Sequence, residues 1–414
     1  MASVNDTELD LVVYGASSFV GQILCEYLAR RHGTDGGQLR WALAGRSRER
    51  LEAVRAELGE DSDALPLIVA DADDEESLRS LCARTRVVVS TAGPYALIGE
   101  PLLRSCVESG TDYCDITGEL QWIRRMMARY DDIARQTGAR IVHCCGFDSI
   151  PSDLGVHYLQ QHCRQRFGMP ASQVKMRIRA MRGGLSGGTA ASLMNVIREA
   201  SKDPRLRREL NDPYALCPPD HPFVVRQPTV PMVAHEPDFD AWVAPFIMAA
   251  INTRVVLRSN ALNGAAWGRD FQYQEASLTG RGLRGWLRAF GMGLGLRLFM
   301  SMAWFAPTRW LLERLVLPAP GEGPDRETRE AGFFDMRFHA TTESGQTLRV
   351  RVTGDQDPGY GSTAKMLGEA AACLALDGAE IEGAGGFWTP ATALGDALLR
   401  RLEAQAGLSF QVCE

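Results

Sequence analysis

The seven residues Gly15-Ala16-Ser17-Ser18-Phe19-Val20-Gly21 sit where a short apolar run, Leu9–Tyr14, gives way to an amphipathic stretch, Phe19–His32. A tight turn between strand and helix aims backbone N–H groups and the positive end of the helix at a phosphate. Gly15 permits the turn, and Gly21 lets the helix lie close to the strand. Ser18 stands where a G-x-x-G-x-x-G pattern has its middle glycine. It adds a Cβ at the point of closest approach, and its hydroxyl is a further donor. Taken alone, the turn also fits a plain strand-to-helix connection. The next apolar run, residues 39–44, ends Ala44-Gly45-Arg46-Ser47. Proteins that take the unphosphorylated dinucleotide commonly place an acid there to accept from the ribose hydroxyls. Arg46 cannot accept, and a guanidinium suits a 2′-phosphate instead. The fourth run ends Ser90-Thr91-Ala92-Gly93-Pro94, where small residues leave room for ribose and nicotinamide. Together these signals predict NADP(H), held by Gly15, Ser17, Ser18, Phe19, Val20, Gly21, Arg46, Ser47, Thr91, Ala92, Gly93 and Pro94.

Proton chemistry has fewer candidates. Tyr95 follows the fourth strand and is the first choice for a proton donor. Asp148 and Ser149 follow the last strand of the N-terminal region, at the edge where a nicotinamide would lie, and complete the expected catalytic set. Ser152 or Asp153 reads either as a cap of the next helix or as a substrate contact. Asp115 and Glu119, at a strand-to-helix junction, read as capping groups. His143, inside an apolar run, reads as a core histidine. Residues 186–189 carry two glycines and two hydroxyls and fit a carbonyl or phosphate contact, or only a turn. Lysine occurs only at Lys175, Lys202 and Lys365, preceded four residues earlier by Ala171, Arg198 and Gly361, so no Tyr-x-x-x-Lys pair exists.

Through residue 145 the chain alternates short apolar runs with amphipathic stretches, which predicts a parallel sheet buried on both faces. Strands are expected at Leu9–Tyr14, 39–44, 65–70, 87–91 and 140–144, and helices at Phe19–His32, 48–58, 74–83, 101–109 and Leu120–Thr137. Beyond residue 151 the rhythm changes to strands of an antiparallel or mixed sheet at 174–181, 332–342 and Thr347–Gly354, the last two joined by a turn at 343–346. Residues 211–245 are proline-rich and read as an irregular loop, and 317–324 as a turn-rich connection or lid. Helices return at 362–376 and from Thr389-Pro390 to about residue 403. The fold class is therefore α/β: a Rossmann-type domain (1–150), an inserted α+β substrate domain (151–360), and C-terminal helices (361–414) that complete the first domain.

The 414 residues are 45% hydrophobic and 23% charged, with a formal net charge of −6. No basic block suits nucleic acid. The ten cysteines lack metal-ligand spacing, so no metal site is expected. They read as free thiols of a cytoplasmic, reducing compartment, and the polar, acidic N-terminus is unlike a signal peptide.

Several stretches now coincide in order: Gly15 to Gly21, Ala44 to Ser47, Thr91 to Tyr95, Tyr113-Cys114-Asp115-Ile116-Thr117-Gly118-Glu119, and Gly146-Phe147-Asp148-Ser149-Ile150-Pro151-Ser152-Asp153-Leu154-Gly155. Together they resemble the saccharopine dehydrogenase-like oxidoreductases, and within these the trans-acting enoyl reductases. The resemblance takes in Leu185-Ser186-Gly187-Gly188-Thr189, 317–324 and 386–395. It implies a Rossmann domain, an inserted α/β domain, NADP(H) and a partner acyl carrier or polyketide synthase.

Residues 283–317 concentrate Trp, Phe, Leu and Met, interrupted by Arg284, Arg288, Arg297, Arg309 and Arg314. The longest uncharged run is too short to span a bilayer, and Pro307 breaks it. The first reading is a buried helix pair. A wall for a long acyl chain, or a peripheral membrane contact with arginines at headgroup level, are the alternatives. The apolar excess points to an enoyl reductase of a lipid-like or polyketide chain. A dehydrogenase of a polar amino acid or imine, and a non-catalytic lipid-associated protein, stay open. So does a homo-oligomer.

Overall fold

The computed structural model describes residues 7–184, 187–318, 321–378, 380–381 and 384–413. In chain order it contains β1 (Leu9–Tyr14), α1 (Phe19–His32), β2 (Trp41–Gly45), α2 (Arg48–Glu57), β3 (Leu67–Val69), α3 (Glu75–Ala83), β4 (Thr85–Ser90), α4 (Tyr95–Ile98), α5 (Glu100–Ser109), β5 (Asp112–Asp115), α6 (Leu120–Thr137) and β6 (Arg140–Val142). There follow α7 (Ile150–Phe167), β7 (Ala171–Arg182), α8 (Gly187–Lys202), α9 (Pro204–Asn211), β8 (Ala234–Glu236), β9 (Ala241–Pro245), α10 (Ala249–Leu262), β10 (Gln272–Gly280), α11 (Gly282–Trp304), α12 (Ala306–Leu315), α13 (Arg326–Glu330), β11 (Phe333–Thr342) and β12 (Thr347–Gly354). The chain closes with α14 (Gly361–Leu376), β13 (Gly386–Trp388), α15 (Pro390–Ala393), α16 (Gly395–Gln405) and β14 (Leu408–Cys413). Described residues 7–147, 321–323 and 359–407 form one compact unit, and 148–318, 324–358 and 408–413 a second.

The first unit is built on a seven-stranded sheet in the order β13-β6-β5-β4-β1-β2-β3, with every pairing parallel. β1 and β2 are buried along their whole length, as strands covered by helices on both faces must be. The strand order reverses at β1, where β2 lies on one side and β4 on the other. Such a switch point leaves a crevice beyond the strands' C-terminal ends. α14 is almost entirely buried in this unit, because its Ala-rich surface lets it pack closely against α1 and the sheet. The stretch expected as one helix from Thr389 is two, α15 and α16, broken at Leu394 with Gly395 at φ +39°. Residues 361–414, read as helices, also supply β13 to this sheet and β14 to the other.

The second unit carries a mixed sheet in the order β14-β12-β11-β7-β10-β9-β8, in which only the β10–β7 pairing is parallel. Residues 211–245 are not wholly irregular, since β8 and β9 pair at the sheet edge within them. β10 had no strand signature in the sequence. Its inward residues Tyr273, Glu275, Ser277 and Thr279 are mostly polar, so apolar alternation is missing. Residues 283–317 do form two helices, α11 and α12, but not a buried pair. Leu283 is 72% exposed, Leu298 56% and Trp310 56%.

Candidate functional site

At the end of β1 the chain turns through Gly15, whose φ of +82° is the left-handed region that favours glycine. The Ser18 amide donates to the Gly15 carbonyl at 2.8 Å and closes the turn. Ser18 is the N-cap of α1, and its hydroxyl oxygen accepts from the Gly21 amide at 3.0 Å. The same hydroxyl donates to Thr91 Oγ1 at 3.0 Å, and Thr91 donates to the Gly15 carbonyl at 2.9 Å. This hydroxyl chain ties the turn to the end of β4. It also spends the Ser18 proton inside the scaffold, so donation to a phosphate here falls to backbone amides, as at other helix starts. A side chain on Gly21 would collide with the Gly15 carbonyl, and a Cβ on Gly15 would lie 3.0 Å from the Ala92 amide nitrogen. The Phe19 ring meets Tyr360 edge-on at 5.2 Å, and Gly323 lies so close that a Cβ would strike that ring. Part of the expected connection 317–324 therefore backs the start of α1, whereas residues 319–320 lie outside the described residues.

Arg46, just past β2, is exposed and has no ion-pair partner among the described residues. Ser47 caps α2, accepting from the Arg50 amide at 3.4 Å. Burial pushes the Tyr14 phenol up to about 12; Asp71 and Asp73 add to that and Arg46 opposes it. The guanidinium, the two carboxylates and the last residue of β1 thus share one neighbourhood. Thr91 is buried, Ala92 and Pro94 are half-buried, and Gly93 is exposed.

The motif Tyr113 to Glu119 has a structural task that spacing did not reveal. The Glu119 carboxylate accepts from the amides of Tyr95 at 2.8 Å and Ala96 at 3.1 Å, so it caps α4 rather than its own helix. Asp115 is fully buried. It accepts from the Thr117 amide at 3.0 Å and pairs with His143 Nδ1 at 2.8 Å. His143 is a core residue, lying against Trp122 at 5.0 Å and Phe387 at 5.6 Å. Downstream, the Phe147 amide donates to Thr363 Oγ1 at 3.0 Å, pinning the strand exit to α14.

The three expected catalytic residues fall in different units. Tyr95, in the first, is 5% exposed; its hydroxyl donates to the Ser90 carbonyl at 2.9 Å and its ring packs on Trp122. The proton-donor role expected for it has no open geometry to act through. Ser149, in the second, is buried at the N-cap of α7 and donates to Asn252 Oδ1 at 3.2 Å. Asn252 in turn donates to Glu275, which also accepts from the Tyr273 hydroxyl at 2.6 Å. Asp148 is half-buried. Ser152 and Asp153 lie within the first turn of α7 and are buried, with Ser259 donating to Asp153 at 2.5 Å. Of residues 186–189, Ser186 lies outside the described residues and the others open α8. Lys175 is engaged by Glu236 at 2.9 Å and by Asp238.

The first unit thus fits a dinucleotide. Its glycine turn has no room for side chains, a helix opens directly beyond it, and an uncommitted cation ends the adjacent strand. Residues 11–142 match the family model of the saccharopine dehydrogenase NADP binding domain. Over 98% of its length the chain is 43% identical to a Mycobacterium tuberculosis protein assigned to the trans-acting enoyl reductases, covering 97% of that relative. It is 38% identical to a trans-acting enoyl reductase of Mycobacterium ulcerans, over 95% of this chain and 96% of the other. In fold it is similar to saccharopine dehydrogenase from Saccharomyces cerevisiae, with a TM-score of 0.54 at 15% identity over 98% of this chain and 99% of the other. The chain therefore belongs to the saccharopine-dehydrogenase-like oxidoreductases, among the trans-acting enoyl reductases, and is an NAD(P)-dependent enzyme of that family.

Proposed function

We propose that this enzyme uses NADPH to reduce the α,β-double bond of a lipid-like or polyketide acyl chain presented by a separate synthase or acyl carrier. The observation that carries the cofactor choice is Arg46, exposed and without an ion pair at the end of β2. The substrate class rests on the near full-length likeness to trans-acting enoyl reductases.

A bound nicotinamide supplies the hydride that the β-carbon receives. The chain's own contribution is to hold and orient. The amides of Ser17 and the first turn of α1 would hold the pyrophosphate, with the helix dipole behind them. Arg46 would pair with the 2′-phosphate, with Ser47 next to it in the chain. Thr91 fixes the turn through the Ser18 hydroxyl, while Ala92, Gly93 and Pro94 leave space for the ribose. Neither Tyr95 nor Ser149 offers a free hydroxyl proton, so the proton for the α-carbon comes from water.

Purified protein supplied with NADPH and a series of enoyl thioesters tests this reading. Consumption of NADPH with formation of the saturated thioester is expected. Absence of turnover on every enoyl thioester, with turnover on a polar amino acid and aldehyde pair, would contradict it. We further place the enzyme in a reducing, cytoplasmic compartment. Its ten cysteines are free, and Cys82 and Cys106 lie 3.7 Å apart, sulfur to sulfur, without a bond.

A further inference from the structure

Helix α11 is packed inside out. Its inward line is Gly285, Ala289, Gly293 and Ala303, all buried. A side chain on Gly285 would collide with the Gly280 carbonyl, and one on Gly293 with Met232. The helix therefore lies with its backbone pressed on the second unit, against β9 and the segment before it. An ordinary surface helix turns its large apolar residues inward. Here they turn outward: Leu283, Trp286, Leu287, Phe290, Leu294 and Leu298 are exposed, and Trp286 stacks on Phe290 at 5.5 Å. At 3.6 residues per turn these six share the side opposite the small-residue line. α12, bent by 112° from α11, continues the surface with Trp310, Leu311 and Leu315.

Charge decides what covers this face. In a chain of net charge −6, residues 281–316 hold Arg281, Arg284, Arg288, Arg297, Arg309 and Arg314 against the single acid Glu313. Glu313 is paired with Arg198, and Arg281 with Asp240. Arg284, Arg288 and Arg297 are exposed and make no ion pair among the described residues. A second copy set face to face would bring arginine against arginine with no free acid to meet it. Among the described residues no single helix is long and apolar enough to cross a membrane. We infer that α11 and α12 lie flat on a lipid bilayer with anionic headgroups, the Trp, Phe and Leu side chains entering the acyl boundary and the three free arginines meeting the phosphates.

Flotation of the full-length protein with vesicles tests this. Neutral phosphatidylcholine vesicles are compared with vesicles containing roughly 30 mol% phosphatidylglycerol. Binding to the anionic vesicles is expected, weakened by salt. Leu287→Glu with Leu294→Glu should lower it by at least about tenfold. These side chains contact solvent, so the variant keeps its fold and its NADPH affinity, both measured alongside. Arg284→Glu with Arg288→Glu should remove the preference for anionic over neutral vesicles. No flotation of wild type on either vesicle, or equal flotation of wild type and the leucine variant, overturns the inference. So does a dimer in sedimentation velocity that the leucine variant dissociates while neither protein floats.

Discussion

Two helices of this molecule dispense with side chains for opposite ends. At the start of α1, Gly15 and Gly21 draw strand, turn and helix together, and the polar groups around them are already spoken for. Ser18 serves Gly21 and Thr91, Glu119 serves Tyr95 and Ala96, and Asp115 serves His143 and Thr117. What remains on offer is backbone N–H and Arg46. Along α11, Gly285 and Gly293 also press a backbone home, but here the effect is to turn Leu283, Trp286, Leu287, Phe290, Leu294 and Leu298 outward, while Phe299, Met302 and Trp304 near its end pack against Met194 and Ile197. The same device closes a strand-to-helix turn in one unit and leaves an apolar face bare in the other. The difference lies in which groups the surrounding chain leaves uncommitted.

Matched substitutions test whether the two devices are separable. Gly21→Ala forces a methyl group onto the Gly15 carbonyl, and overpacking of this kind costs about 1–3 kcal/mol. Its urea midpoint should fall, and NADPH affinity should drop by more than any other single substitution here. Gly285→Ala meets a comparable clash with Gly280 and should cost about the same 1–3 kcal/mol while leaving NADPH affinity within a factor of about two. Loss of cofactor binding in both would erase the comparison.

The committed edge of the first unit can be probed next. Asp115→Asn turns an amide donor toward groups that already donate, and should cost about 1–3 kcal/mol in urea denaturation. Glu119→Gln keeps one acceptor for the two amides of α4 and should cost less, about 1 kcal/mol. If either variant loses turnover without losing stability, these residues act in chemistry rather than as supports.

The smallest effect contrasts the second unit's interior with its surface. Burial pushes the Glu275 carboxyl above the ordinary value of 4.5, against hydrogen bonds from Tyr273 and Asn252. A native carboxyl that holds its proton more tightly than the unfolded one stabilises the fold at low pH, and that contribution is lost as pH rises through the native value. Wild type should therefore lose stability relative to Glu275→Gln on going from acid to neutral pH. The opposite sign would mean that Glu275 is held as a stabilised anion.

Much of the first unit was legible because its signals are local. β1, α1 and α6 follow from apolar runs and periodicity over their own residues, and the glycine turn lies between two of them. The roles of Glu119 and Tyr95 were not legible, because each is set by a partner brought close only by the sheet. Tyr95 follows the fourth strand as read, yet its hydroxyl folds back on Ser90. In the second unit β10 escaped notice because Glu275 and Ser277 are buried polar residues on its inner face. β8 and β9 were hidden by the prolines around them. Composition marked 283–317 as apolar, but could not say which side of α11 would meet the protein. That depended on Gly285, Ala289 and Gly293 aligning on one line, a pattern visible in the spacing once the small residues, rather than the large ones, are followed.

Selection of the phosphorylated dinucleotide is the role proposed above for Arg46. Titration of wild type and Arg46→Ala with NADPH and NADH measures it directly. Wild type should bind NADPH at least about tenfold more tightly than NADH, the strength of a charge-assisted contact, and Arg46→Ala should lose that gap by weakening NADPH alone. Equal affinity of wild type for the two dinucleotides, or an undiminished preference in Arg46→Ala, would contradict the account.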